Sequence, residues 1–250
     1  MTATQRSAST RPRNVVAASR GGGGPSAAFW SWKSLVREFA PVLIALAVLY
    51  TFLLQAYRIP SGSMEPTLLV GDFLFVNPAY NVVIPFTNIR LFSYAEPHRN
   101  GIAVYRSPDA RDGNPIVVKR LVGVGGDTLY MRNGVLFANG IEQRLAFTPE
   151  PPPGSGDETH PDFEWQKRAA ITGSRFGPPP VQPTHDNWGP LLIPPNHFFS
   201  LGDNRYNSKD ARYYGFVPRE NIRGRPLFIY MSVDWDALSI RWNRIGQRVR

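Results

Sequence analysis

The sequence predicts a mainly β protein: an antiparallel-sheet body carrying a smaller inserted subdomain and preceded by one transmembrane helix. Three observations predict it. The uncharged stretch FAPVLIALAVLYTFLLQAY separates Glu38 from Arg58. Beyond it the pattern changes to short β-branched and aromatic runs divided by Gly, Pro and Asn. One long segment is too rich in proline to lie inside a sheet, because proline lacks the ladder donor.

Residues 1–28 are rich in Ser, Thr, Arg and Gly, include Gly21 to Gly24, and lack the apolar surface that folding needs. We expect a disordered basic tail. Residues 29–57 read as a juxtamembrane segment and an anchor. The run Phe39–Tyr57 would rise about 28 Å as a helix, close to the thickness of a bilayer's hydrocarbon core. A cleaved secretory signal is the alternative; the long preceding tail and the poor cleavage sequence Leu54-Gln55-Ala56 speak against it. Arg6, Arg11, Arg13, Arg20, Lys33 and Arg37 precede Glu38 without any acid. The positive-inside rule therefore places the amino-terminal side in the cytoplasm and everything after Tyr57 outside it.

The runs DFLFVN, GIAVY, IVVKRLVG, HFFSLG and PLFIYMS are the strands expected of the β body, residues 58–146 and 191–250. Asn133-Gly134 and Asn139-Gly140 each supply the pair of positive-φ residues that a tight hairpin demands, so their strands form an antiparallel meander. Between 147 and 190 lie EPPPGSGDETHPD and FGPPPVQPTHDNWGP, read as an inserted, partly irregular, proline-rich subdomain.

Composition excludes several chemistries. Without cysteine there is no disulfide framework, thiol nucleophile or cysteine-built zinc site. His98, His160, His185 and His197 show no ligand spacing and read as scattered surface or loop residues, so neither metal nor cofactor is expected. A net charge of +9 suits either nucleic acid or an anionic membrane surface. Position decides: the basic clusters, before Glu38 and from Arg241 to Arg250, flank segments expected to touch membrane, and no nucleic-acid-binding signature accompanies them. Membrane lipid is the expected partner, and nucleic acid is not.

Three segments carry candidate chemistry. Arg58-Ile-Pro-Ser61-Gly62-Ser63-Met64-Glu65-Pro66-Thr67-Leu68 follows the anchor and sets two hydroxyls about a glycine. Serines in a Gly/Pro-rich loop also serve as turn formers. In IVVKRLVG, Lys119 and Arg120 interrupt an aliphatic run; alternation groups Lys119 with Val117 and Leu121, and Arg120 with Val118 and Val122. At least one cation is therefore poorly solvated. Desolvation lowers a lysine's pKa until a neutral amine exists near physiological pH, whereas arginine stays charged. Lys119 is thus the candidate proton acceptor, with an edge-strand lysine snorkelling to water as the alternative. The third segment, Gly202-Asp203-Asn204-Arg205-Tyr206-Asn207-Ser208-Lys209-Asp210-Ala211-Arg212-Tyr213-Tyr214-Gly215, concentrates donors and acceptors in one loop, which is either a charged surface turn or a device for orienting an amine.

Together SGSMEPTL, VVKRLVGVGGD and GDNRYNSKDARYYGFV resemble, in order and separation, the three signature boxes of the bacterial type I signal peptidases. The likeness runs from the anchor to Ile245, the 147–190 insert apart. It implies a membrane-bound serine endopeptidase of the serine/lysine dyad kind that removes amino-terminal signal peptides from exported precursors. Ser63 would be nucleophile and Lys119 general base, with the Ser61 hydroxyl and the Ser63 N–H forming an oxyanion hole. Gly62 would leave room for substrate backbone. Ser208 would orient the lysine amine, Asp210 and Arg212 would form a supporting ion pair, and Asp203 and Asn204 would belong to the same scaffold.

The resemblance further implies a single-pass enzyme of the bacterial inner membrane, acting as a monomer on precursors with small residues before the cut. These residues would fill shallow apolar pockets, for which Met64, Phe73 and Leu74 are candidates beside their ordinary role as core. Departures from the family pattern are Gly125 for a common proline, Tyr206 for an acid, Ala211 for a hydroxyl, and one anchor instead of two. Competing readings are a narrow-substrate relative that matures pilin or conjugation proteins, and a silent membrane-tethered β module. Self-cleaving repressors share a related fold but lack an export anchor.

Overall fold

The computed structural model describes residues 32–52, 55–83, 89–143 and 157–250. The expected tail, 1–28, lies outside them, as do residues 144–156 of the body and insert. Two compact units divide between Val42 and Leu43, and all the sheets belong to the unit Leu43–Arg250.

Helix α1 spans Trp32–Phe52, with Pro41 inside it. Phe39, Val42, Leu43, Ile44, Leu46, Val48 and Leu49 are exposed along it. The expected continuous helix Phe39–Tyr57 is corrected here: Gln55–Arg58 is strand β1, paired antiparallel with Asp72–Asn77 (β2), Gln55 opposite Val76 and Arg58 opposite Phe73. The ladder claims backbone groups that a helix would have used internally, and Tyr57 packs against the core. The uncharged part of α1, Phe39–Phe52, is about 21 Å long at ~1.5 Å per residue, short of the ~30 Å hydrocarbon thickness. Among the described residues no helix is long and apolar enough to cross a membrane.

The chain continues through β3 (Val82–Val83), β4 (Arg90–Phe92), β5 (Ile102–Arg106), β6 (Ile116–Val124), β7 (Thr128–Arg132), β8 (Val135–Ala138) and β9 (Ile141–Glu142). Helix α2 (Glu164–Ala169), β10 (Trp188–Leu192), β11 (His197–Leu201), α3 (Ala211–Tyr214), β12 (Val217–Pro218), β13 (Ile222–Asp234) and β14 (Ser239–Ile240) follow. The main sheet runs β1-β2-β13-β5-β6-β11-β12, with β14 on β13; a second runs β10-β7-β8-β9, and β3 pairs β4. The strand pairings are antiparallel throughout these sheets.

The two Asn-Gly hairpins form as expected, with φ of 48° and 76° at Asn133-Gly134 and 55° and 88° at Asn139-Gly140. Their meander does not extend the main sheet. It takes β10 as a fourth strand, because Trp188 and Leu191 close one core with Leu129, Met131 and Leu136. Pro190 sits in β10 at the sheet's edge, where the register shifts, as its missing N–H requires. The small sheet therefore draws strands from the body and from the end of the inserted segment.

Under the Ser61–Leu68 loop, Leu74 and Val76 of β2 join Ile59, Met64, Leu68, Ile102, Val104 and Ile229 in a buried cluster. Each such apolar chain stabilises the fold by roughly 1.5–3 kcal/mol. Asp72, on the same buried face of β2, is fully enclosed. It accepts from Ser232 Oγ at 2.6 Å, Leu69 N at 2.9 Å and Arg244 Nη2 at 2.6 Å, while Arg244 Nη2 also donates to Thr67 O at 3.0 Å. This one carboxylate ties the end of the serine loop to β13 and the carboxy-terminal segment. Removing one partner of a buried ion pair typically costs about 3–5 kcal/mol, so Asp72→Ala is expected to destabilise by that amount in denaturant unfolding; a change below about 1 kcal/mol would show that the contact is dispensable.

Candidate active site

The serine loop turns through one 3-10 segment, Gly62–Met64, with Ser63 9% exposed and Met64 packed in the core. Across from it, β6 carries both cations into the interior: Lys119 is 4% and Arg120 8% exposed. Alternation works as the sequence suggested. Val117 and Leu121 pack in the cluster of Tyr80, Tyr105 and Phe198, while Val118 and Val122 divide between the other two cores.

Lys119 Nζ donates to Ser63 Oγ at 2.5 Å, and Ser61 Oγ lies 3.5 Å from the same oxygen. Burial pushes the Lys119 amine down to about 8; nearby Asp210 opposes this shift and Arg212 assists it. Near pH 8 about half the molecules thus hold a lone pair at hydrogen-bond distance from a serine hydroxyl. Arg120 has a different task. Its Nε and Nη2 donate to Asp203 Oδ1 and Oδ2, both at 2.7 Å, in a bidentate pair.

The third segment holds this arrangement from the other side. Asn204 donates through its backbone N–H to Ser63 O at 3.1 Å and through Nδ2 to Gly62 O at 3.2 Å. Thr67 Oγ1 donates to Asp203 Oδ2 at 2.5 Å. Asp210 and Arg212 are fully enclosed and paired twice, Nε to Oδ1 and Nη2 to Oδ2, both at 2.9 Å. Burial raises the Asp210 carboxyl, the Arg212 guanidinium more than offsets this, and the group is held below the usual carboxylate range. Ser208 Oγ donates to Asp210 Oδ2 at 2.8 Å, which ties this hydroxyl to the ion pair and leaves its lone pairs as acceptors.

Gly202 sits where the two loops meet. A Cβ there would lie 2.3 Å from Ser208 Oγ and 2.5 Å from Ser63 O, so only glycine permits the approach. At Gly62 the neighbour is the end of the Glu65 side chain at 3.0 Å, which can move aside.

Beside the serine a cleft of about 200 Å³ runs between Tyr57–Ser61 and Ile116–Lys119, with Ser63 and Met64 in its wall. Leu74 is core, and Phe73 is half-buried with its ring near Tyr230. A larger cavity of about 580 Å³, lined by His98, Arg99, Arg225 and Arg248 among others, holds neither a nucleophile nor a desolvated base, so volume alone does not mark the site. Among the described residues no group of three or more His, Asp or Glu is placed to hold a metal ion.

The sequence reasoning missed the inserted segment's contribution. Trp165 Nε1 and Gln166 Nε2 of the insert donate to the Arg212 carbonyl at 3.0 and 2.9 Å, and His185 reaches the Arg212 guanidinium. None of these has a periodic or spaced pattern. The one available signal was His185 beside Asp186 in an otherwise proline-rich stretch.

The family model described as Signal peptidase, peptidase S26, matches residues 32–231. Signal peptidase I of Pseudomonas aeruginosa is 34% identical over 208 residues, 78% of this chain and 71% of the relative. Signal peptidase I of Pseudomonas fluorescens is 34% identical over 229 residues, 84% and 77% of the two chains, and that of Aquifex aeolicus is 31% identical over 238 residues, 80% and 84%.

The contact at Gly202 gives a steric prediction. Gly202→Ala should lower stability by about 1–3 kcal/mol, the usual effect of overpacking, and a crystal structure of the variant should show the Ser63 loop displaced. An unmoved loop with unchanged stability would mean that the close approach does not position Ser63.

Proposed function

Because the chain belongs to the signal peptidase family, peptidase S26, we propose that it removes amino-terminal signal peptides from exported precursors, with Ser63 as nucleophile and Lys119 as general base. It is a serine endopeptidase of the type I signal peptidase kind, and its substrates are secretory precursor proteins. The observation that carries the assignment of residues is the 2.5 Å contact between the Ser63 hydroxyl and an amine whose burial lowers its proton affinity.

The chemistry runs through that contact. The neutral Lys119 amine takes the Ser63 proton as Oγ attacks the scissile carbonyl. The oxyanion of the tetrahedral intermediate takes hydrogen bonds from the Ser61 hydroxyl and the Ser63 N–H, each worth about 2.7–4 kcal/mol in comparable sites. The Lys119 ammonium then protonates the departing amine, leaving an ester on Ser63. Water, deprotonated by Lys119 in turn, hydrolyses the ester.

Strand β11 pairs with β6 only from Arg120 onward, while β5 covers the opposite edge along Ile116–Arg120. The free edge at Ile116–Lys119 lines the cleft and suits an extended peptide bound by strand addition. The cleft's small volume and its Ile59 and Met64 walls favour small residues before the cut.

Membrane attachment is assigned to α1. Its exposed apolar residues follow Lys33 and Arg37 and a basic amino-terminal sequence, which supports attachment of α1 at the surface of the cytoplasmic membrane. The dyad comes from a single chain, and the enzyme is read as a monomer.

Four outcomes test this reading. Detergent-solubilised protein should cleave a fluorogenic peptide with an Ala-x-Ala site, and Ser63→Ala should lower kcat/KM by roughly ten-thousand-fold. Lys119→Arg should be equally inactive, since arginine will not surrender its proton; substantial residual cleavage would sink the base assignment. The sign of the pH dependence follows from the amine: kcat/KM should rise with pH through about 8 as Lys119 loses its proton, and a profile flat from pH 6 to 10 would contradict it. Attachment through α1 predicts that the protein sediments with membrane vesicles and is released when α1 is deleted; recovery of the intact chain in the soluble fraction would contradict it.

A further inference from the structure

The inserted segment reaches the buried ion pair behind the candidate base. His185 Nδ1 lies 2.7 Å from Asp186 Oδ1, and its Nε2 lies against Arg212 Nη1 and 2.8 Å from Arg205 O. The contact with Arg212 sets the ring's role, because Arg212 Nη1 only donates and its partner Nε2 must then accept. The consistent tautomer therefore donates from Nδ1–H to Asp186 and accepts from Arg212 at Nε2.

The ring is itself held. It stacks on Tyr206 at 4.7 Å between centroids, and Tyr206 OH donates to Asp186 Oδ2 at 3.1 Å. Asp157 accepts from Asp186 N at 2.8 Å, Thr184 Oγ1 at 2.7 Å and Asn187 Nδ2 at 2.7 Å, locking the turn that presents the histidine. The charged and titratable groups facing His185 are thus Arg212, Asp186, Asp157 and Tyr206. On the far side of Arg212, Asp210 takes both its Nε and its Nη2.

We propose that His185 is a positioning residue of the inserted segment: by accepting from Arg212 Nη1 it gives that end of the buried guanidinium its acceptor and fixes the Asp210–Arg212 pair against Lys119. The inference rests on the reading of Lys119 as general base. Arg212 otherwise meets only acceptors on its Nε and Nη2 side, so without His185 the guanidinium has an uncompensated buried donor and is free to turn. Arg212 depresses the affinity of the Lys119 amine for its proton and Asp210 raises it. A loosened Arg212 would leave the effect of Asp210 less opposed.

The test is the pH profile of peptide cleavage by the full chain. His185→Phe, similar in shape but unable to accept, should lower kcat roughly 10- to 100-fold, the scale of a small misplacement, with little change in KM, and should move the rising limb of kcat/KM to higher pH. His185→Gln, whose amide oxygen can accept from Arg212, should recover most of both. Should His185→Phe not fold, His185→Asn, polar but too short to reach, should show the same shift. A rising limb that stays in place in a folded non-accepting variant, with only thermal stability reduced, would overturn the proposal and leave His185 a structural contact. Failure of the dyad reading would appear separately, as wild-type cleavage that survives Ser63→Ala or lacks a rising limb.

Discussion

Everything in the site depends on keeping the amine of Lys119 out of water next to Ser63. A lysine surrounded by solvent is protonated and useless as a base; one enclosed beside an unpaired carboxylate is equally so, because the carboxylate restores the charge. The structure meets both conditions at once. Lys119 is 4% exposed, and the two nearby acids are each engaged twice by an arginine, Asp203 by Arg120 and Asp210 by Arg212. A third arginine, Arg205, is buried, lowered to about 10 by that burial, and donates to Gly202 O at 3.1 Å. The acids are thus present as halves of ion pairs, which leaves desolvation as the dominant influence on the amine.

These pairs also explain how three distant stretches of chain meet. Buried ion pairs add little net stability compared with apolar packing, but breaking one leaves a charge uncompensated. They therefore penalise wrong arrangements more than they reward the right one. Arg120 cannot satisfy Asp203 unless β6 and the loop after β11 are in register, and Thr67 joins the same carboxylate only if the serine loop is in place. Asn204 then bonds the carbonyls of Gly62 and Ser63. Register errors in this part of the fold would cost several hydrogen bonds to buried charges together.

The parts of the molecule readable in the sequence are those governed by short-range pattern. Lys119 and Arg120 stood out because two cations interrupt an aliphatic run, and alternation placed one on each face. The Asn-Gly pairs announced their hairpins through the φ values they tolerate. Where an outcome depended on long-range competition, pattern misled: Gln55–Arg58 continues an apolar stretch but is claimed by β2, fifteen or more residues away. That Ser208 donates to Asp210 was not legible either, because the two loop residues meet only once Asp210 is buried against Arg212. His185 was read as one of four scattered histidines, because nothing in the order of residues says that a proline-rich segment returns to cover an arginine.

The desolvated lysine weakens the fold at neutral pH, where the paired Asp210 supports it. Its pKa falls from 10.5 unfolded to about 8 folded, so between those values the unfolded chain binds more protons and stability rises with pH. Below about 8 the folded state holds a buried ammonium, a burden on the order of 3 kcal/mol from the size of the shift. Asp210, held below its usual range, has the same slope in a more acidic window: its contribution is present above the unfolded carboxylate pKa and fades as pH falls through the folded one. At neutral pH the acids' ion pairs are therefore fully formed while the base is under strain. A fold that buries such an amine needs surplus stability elsewhere, and the apolar cluster of Leu68, Leu74 and Val76 under the serine loop is where this chain holds it closest to the site.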